Sequence, residues 1–238
     1  MKKINLLLPA LAAGAAGMVL RLALYRTGFD DRGLLIPGNP LHSLCWLLAI
    51  ALGVFLLLRL RGDGSGLTLP RELRIFSAAA AAALLAFCAG DYVRDAQGGL
   101  QWARALFCAL LAAATALEAL AGIRRRAIHP ALHTPACLFF AVDMLCRYQN
   151  WSGNPQLADY CFALAASVCL CLAAYHRLAL PAGLGKPKAH LLFTLMGLCL
   201  CLYSLVGPEG GAFYLAGAFW ILTGPDTIPG KEKTDVPS

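Results

Sequence analysis

Apolar residues fall in eight blocks, at roughly 4–25, 41–60, 73–93, 102–123, 131–149, 156–178, 188–206 and 211–224, separated by short polar connections. Seven of the blocks match the ~20 residues a helix needs to cross a ~30 Å hydrocarbon core. The eighth has about 14 residues, or ~21 Å of helix at ~1.5 Å per residue. It reads as a short span, a re-entrant hairpin or an interfacial helix. The pattern predicts an all-α, polytopic integral membrane helical bundle with seven to eight transmembrane helices. Residues 1–224 form one transmembrane helical domain on this reading, and 225–238 a short disordered cytoplasmic tail.

Breakers punctuate the blocks. Pro9, Gly14 and Gly17 mark the first helix for a kink or a close helix contact. The run Ala78 to Ala83 suits a tightly packed helix, because small side chains let backbones approach. Gly62-Asp63-Gly64-Ser65-Gly66 is a linker by composition, and Gly207-Pro208 ends the seventh block. Met1-Lys2-Lys3 before an apolar run resembles a signal peptide. The run continues to Leu24, well beyond the ~7–15 residues of such a segment, so an uncleaved first span is expected.

Charge adds an orientation. Of 20 Lys and Arg, 14 lie at the N-terminus, in the even-numbered connections and in the C-terminal tail, counted with their flanking helix ends. Basic residues are retained on the cytoplasmic side during insertion. Both termini are therefore expected in the cytoplasm if there are eight spans, and a bacterial cytoplasmic membrane is the expected location. The net charge of +7 follows from these loops, with Arg124, Arg125 and Arg126 meeting anionic headgroups. No basic face or stacking platform stands outside the apolar blocks, so nucleic-acid binding is not expected. The ten cysteines all lie inside apolar blocks, where free Cys acts as a small hydrophobe.

Candidate chemistry gathers at the predicted outer rim. Most tyrosines and three of the four tryptophans fall there, interspersed with acids and arginines. Aromatic belts normally occur at both interfaces, so a one-sided set leans toward a pocket. Aromatics with carboxylates can hold a cation or a polar ring. The candidate ligand-binding residues are Asp91, Tyr92, Arg94, Asp95, Trp102, Asp143, Arg147, Tyr148, Trp151 and Asp159. Asp143 and Arg147 are i, i+4 and can pair on one helix face, about a turn inside the apolar boundary, where an unpaired charge is costly. The competing reading is an aromatic belt with an ion-pair clasp between helices.

Other features point to plainer roles. Glu118 lies one to two turns from Arg124–Arg126 and is expected to snorkel toward Arg125, and Arg21 can snorkel from the outer end of the first block. His129 and His133 have a metal-compatible spacing, but no third ligand stands nearby in sequence. Cys169/Cys171 and Cys199/Cys201 are i, i+2 on a helix and point about 200° apart, so they cannot converge on one ion. No phosphate loop, His-Glu-x-x-His or Gly-x-Ser-x-Gly pattern occurs, and no catalytic residue, cofactor or metal is assigned.

The expected function is that of a permease-like or small-solute-binding membrane protein with a polar, aromatic outer-face site. The alternative is a non-enzymatic sensor or subunit of a membrane complex. Expected partners are the lipid bilayer, a small polar or cationic solute, and a membrane partner subunit or a second copy. An intramembrane enzyme ranks last, because no paired acids or nucleophile–base pair face one cavity by spacing.

Overall fold

The computed structural model describes residues 6–28, 36, 38–61, 69–126, 129–151, 157–207 and 211–224, with the backbone alone at 151 and 157–159. The described residues form eight α-helices and one 3₁₀ turn, with no strand. The helices are α1 (Leu7–Thr27), α2 (Pro40–Arg61), α3 (Arg71–Arg94), α4 (Gly99–Arg124), α5 (Thr134–Trp151), α6 (Leu157–Ala179), α7 (Pro187–Ser204) and α8 (Gly211–Ile221). A 3₁₀ turn, Pro130–His133, leads into α5. The apolar blocks match these helices to within a few residues. Helices α1, α2, α3, α4 and α7, and α6 from Tyr160 onward, are long and apolar enough to cross a membrane. The chain is a helical, multi-pass membrane protein.

Helix ends follow the local chemistry. Pro40, Pro70 and Pro187 stand at the starts of α2, α3 and α7, where a missing N–H breaks no intrahelical bond. The Gln101 side chain accepts the N–H groups of Gln97 and Gly98 at the start of α4. At the other end of α4, Arg125 adopts φ 54°, the left-handed conformation that stops a helix. The Arg126 N–H then closes on the Ala121 carbonyl at 3.0 Å. His129 caps the 3₁₀ turn, its Nδ1 accepting the Ala131 N–H.

Contacts between helices close a circuit: α3 on α4, α4 on α5, α5 on α6, α6 on α7, α7 on α8, and α8 back on α3. Helices α1 and α2 stand outside it, both against α7 and against each other. The core runs along α7 and α8, where Leu195, Leu198, Cys199, Cys201, Tyr203, Tyr214 and Trp220 are buried. Helix α8 is only 11 residues long, about 16 Å, and is buried along most of its length. A helix lying flat on the membrane surface would keep one face open. The α1–α7 seam rests on small residues: Ala10, Gly14 and Gly17 are buried there. A Cβ on Gly17 would sit 1.6 Å from a Tyr203 ring carbon, so the ring lies against bare backbone.

Candidate functional site

Two clusters of buried charge lie toward opposite ends of α8. The first contains the i, i+4 pair anticipated on α5. Arg147 Nε donates to Asp143 Oδ2 at 2.6 Å, with Asp143 fully buried and Arg147 6% exposed. Arg104 of α4 brings Nη1 to 3.9 Å from Asp143 Oδ1 and lays its guanidinium 3.8 Å from the centre of the Tyr92 ring. From α8, the Tyr214 hydroxyl accepts a hydrogen bond from Arg147 Nη1 at 3.2 Å, and the Phe213 ring lies 4.3 Å from the Arg147 guanidinium. Four helices thus share one ionic knot.

The structure gathers only part of the predicted outer-rim set into this knot: Tyr92, Asp143 and Arg147. Asp91 pairs instead with Arg94 at 2.9 Å on an open surface, and Asp95 is exposed. Trp102 and Tyr148 are more than half exposed and stand apart from the knot. Trp151 and Asp159 lie in helical backbone, and their side chains are outside the described residues. The loop acids Asp30, Asp31 and Glu209, the residue Ser152 and the tail 225–238 also lie outside the described residues. Arg104, Tyr214 and Phe213 were absent from the candidate set. They come from other helices, and only helix rotation brings them in.

The second cluster was not anticipated. Glu118 turns inward rather than toward Arg125. It lies on the α4 stripe Leu111–Thr115–Glu118 that faces the bundle, so its carboxylate is committed to the interior. Arg177 of α6 meets Glu118 Oε2 through Nη2 at 2.8 Å, and His133 of the 3₁₀ turn brings Nδ1 to 3.0 Å from Oε1. That contact is a hydrogen bond when Nδ1 carries the proton, so the geometry favours that tautomer. Arg177 Nη1 also donates to Thr223 Oγ1 at 2.7 Å, just beyond α8, and its guanidinium lies 5.3 Å from the Trp220 ring centre. The Arg177 Nε–H is buried with no hydrogen-bond partner among the described residues. His129, the other member of the i, i+4 histidine pair, spends its Nδ1 on the cap described above. Among the described residues no group of three or more metal-ligating side chains converges.

A cavity of about 910 Å³ opens over this second cluster. Its floor contains Glu118, His133, Arg177 and Thr223. Its rim carries Arg71, Arg74, Arg125 and Arg126 with Glu72. All of these residues flank the even-numbered connections or follow α8, which is the basic end of the bundle. Arg71 is partly engaged, donating to the last carbonyls of α4 at Gly122 and Ile123. That cation meets the negative end of the α4 dipole and ties the start of α3 to the end of α4.

No family model, curated protein or solved structure matches this chain.

The clusters share an aromatic connection. Trp220 near Arg177 packs on Phe140 at 5.0 Å between ring centres, Phe140 reaches Phe213 at 6.4 Å, and Phe213 covers Arg147. Helix α8 therefore touches both guanidinium groups. The sequence held one signal of the second cluster: an arginine at 177 and a glutamate at 118, each inside an apolar block. Such residues usually face a bundle interior.

Proposed function

We propose that the protein is a permease-like, small-solute-binding membrane protein whose solute enters through the cavity at the basic end, and that the Asp143 knot closes the opposite end. One observation carries the reading. A cavity of about 910 Å³ opens at one end of the bundle and stops on a buried ion pair, while a second buried ion cluster ties four helices together toward the other end. Its volume falls within the range of small-molecule sites, ~300–1,000 Å³. An access path open on one side and plugged on the other is what alternating access requires of one of its two states. On the charge distribution the open end faces the cytoplasm. In this reading the outer-rim residues Tyr92, Asp143 and Arg147 serve closure, and the solute is met first at the basic cavity.

Native cysteines provide the test. Cys88, Cys108 and Cys146 are buried in the half of the bundle that holds Asp143, whereas Cys137 and Cys171 lie in the basic half. In oriented vesicles, a membrane-impermeant maleimide added from the Asp143 side should label the first three slowly in the parent protein. With D143N, which weakens the seal, their labelling should rise about tenfold, corresponding to ~1.4 kcal/mol of lost closure. Labelling at Cys137 and Cys171 should stay unchanged. A uniform rise at all five cysteines, together with a lower thermal midpoint, would mean that Asp143 holds the fold rather than a gate, and the permease reading would be abandoned.

A further inference from the structure

We propose that the basic-end cavity binds a small organic anion, held through phosphate or carboxylate oxygens by Arg177 at the floor and by Arg125 and Arg126 at the rim. This ligand class rests on the cavity being the solute site, as above, and differs from the polar or cationic solute that the sequence suggested.

Four observations lead to it. First, five arginines line the cavity against two glutamates, a formal excess of three positive charges. Second, the acid at the floor is already committed. Both Glu118 oxygens are engaged, Oε2 by Arg177 and Oε1 by His133, so a cation entering the cavity would find little there to replace its water. Third, Arg177 lines the cavity floor at 4% exposure, where a low local dielectric strengthens its attraction for an anion. Fourth, the left-handed turn at Arg125 has a geometric effect. On a continuing helix, residues 125 and 126 would point about 100° apart. With φ 54° at Arg125 the helix stops, and both residues line the cavity. The volume, about 910 Å³, is far larger than an inorganic phosphate needs, which favours an organic body behind the anionic group.

The same chemistry is offered by a soluble anion and by an anionic lipid headgroup. Two arms separate them. In the first, detergent-purified protein is titrated at constant ionic strength with citrate, phenyl phosphate and inorganic phosphate, with putrescine as the cationic control, and the thermal midpoint is followed. In the second, the midpoint is compared in nanodiscs of phosphatidylcholine alone and of phosphatidylcholine with phosphatidylglycerol. A midpoint rise with citrate or phenyl phosphate supports a soluble anion. A rise only with phosphatidylglycerol supports the headgroup. Either rise should be weakened about ten- to a hundredfold in apparent affinity by R125Q/R126Q, two exposed positions where the fold is not at stake. E118Q removes the negative charge beside Arg177, and should tighten anion binding several-fold. A merely structural Glu118 would not produce that gain.

The proposal is overturned if neither arm moves the midpoint, if putrescine alone does, or if R125Q/R126Q binds as the parent does. Anion binding with no D143N effect on cysteine labelling would keep the ligand class and remove the permease reading. A site-specific labelling change with putrescine as the only ligand would do the reverse.

Discussion

Replacing Gly17 by alanine exchanges one hydrogen for a methyl group at the tightest of the described glycine contacts. The new Cβ would stand 1.6, 1.9 and 2.3 Å from three carbons of the Tyr203 ring. Carbon atoms settle at about 3.5–4.0 Å, so ring and helix must separate by roughly 2 Å. The ring cannot retreat. Tyr203 is fully buried, Phe162 packs against it at 5.4 Å, and its hydroxyl donates to the Cys45 carbonyl on α2. Helix α1 has to move instead, which stretches the 3.3 Å bond from Arg21 Nη1 to the Tyr203 carbonyl. Overpacking costs about 1–3 kcal/mol and weakening that bond about 1–3 kcal/mol, while alanine returns at most about 1 kcal/mol of helix propensity. The net expectation is a loss of about 1–5 kcal/mol. Reversible unfolding in mixed detergent–SDS micelles can measure it. Y203V removes the ring, and in that background G17A should be neutral or slightly stabilising. Equal destabilisation in both backgrounds, or none in the parent, would refute the seam as described.

Two further outcomes can be checked on the same preparation. D143L should lose about 3–5 kcal/mol because Arg147 is left as an uncompensated buried charge, while D143L/R147M should come within about 1–2 kcal/mol of the parent; a double variant as unstable as the single would show that the knot does more than balance charge. R71M should lower stability by about 1–2 kcal/mol through the uncapped α4 carbonyls, read as a lower unfolding midpoint, and an unchanged midpoint would remove the proposed tie between α3 and α4.

Helices were legible in the sequence because hydrophobic length sets them directly. Block 131–149 is the exception in detail. Pro130 and Pro135 flank its start, and the chain begins with a 3₁₀ turn before α5. That turn matters, since it carries His133 to Glu118. The pair Asp143–Arg147 was legible because both residues sit on one helix at a fixed spacing. Partners on other helices were not. Arg21 was expected to snorkel but turns inward to Tyr203, because Gly14 and Gly17 bring α7 so close that its backbone carbonyl lies within reach. Glu118 was expected to meet Arg125 on its own helix, but its rotation points it at Arg177, 59 residues away. The cavity was illegible for the same reason. Its walls come from α3, α4, the 3₁₀ turn, the end of α6 and Thr223 just beyond α8, and no stretch of sequence contains them together.

The shortness of α8 bears on how the protein is made. Helices α1 to α7 precede it in the chain, so the ribosome delivers them first. Until α8 emerges, α3 and α7 have no neighbour between them, and Arg147 and Arg177 lack the Tyr214 and Thr223 oxygens. A segment of about 16 Å is too short to settle alone across ~30 Å of lipid. Its place between α3 and α7 depends on helices that are already present. Bundle closure is thereby deferred to a late step in biogenesis, and a nascent chain halted before Gly211 would leave the seam between α3 and α7 unfilled.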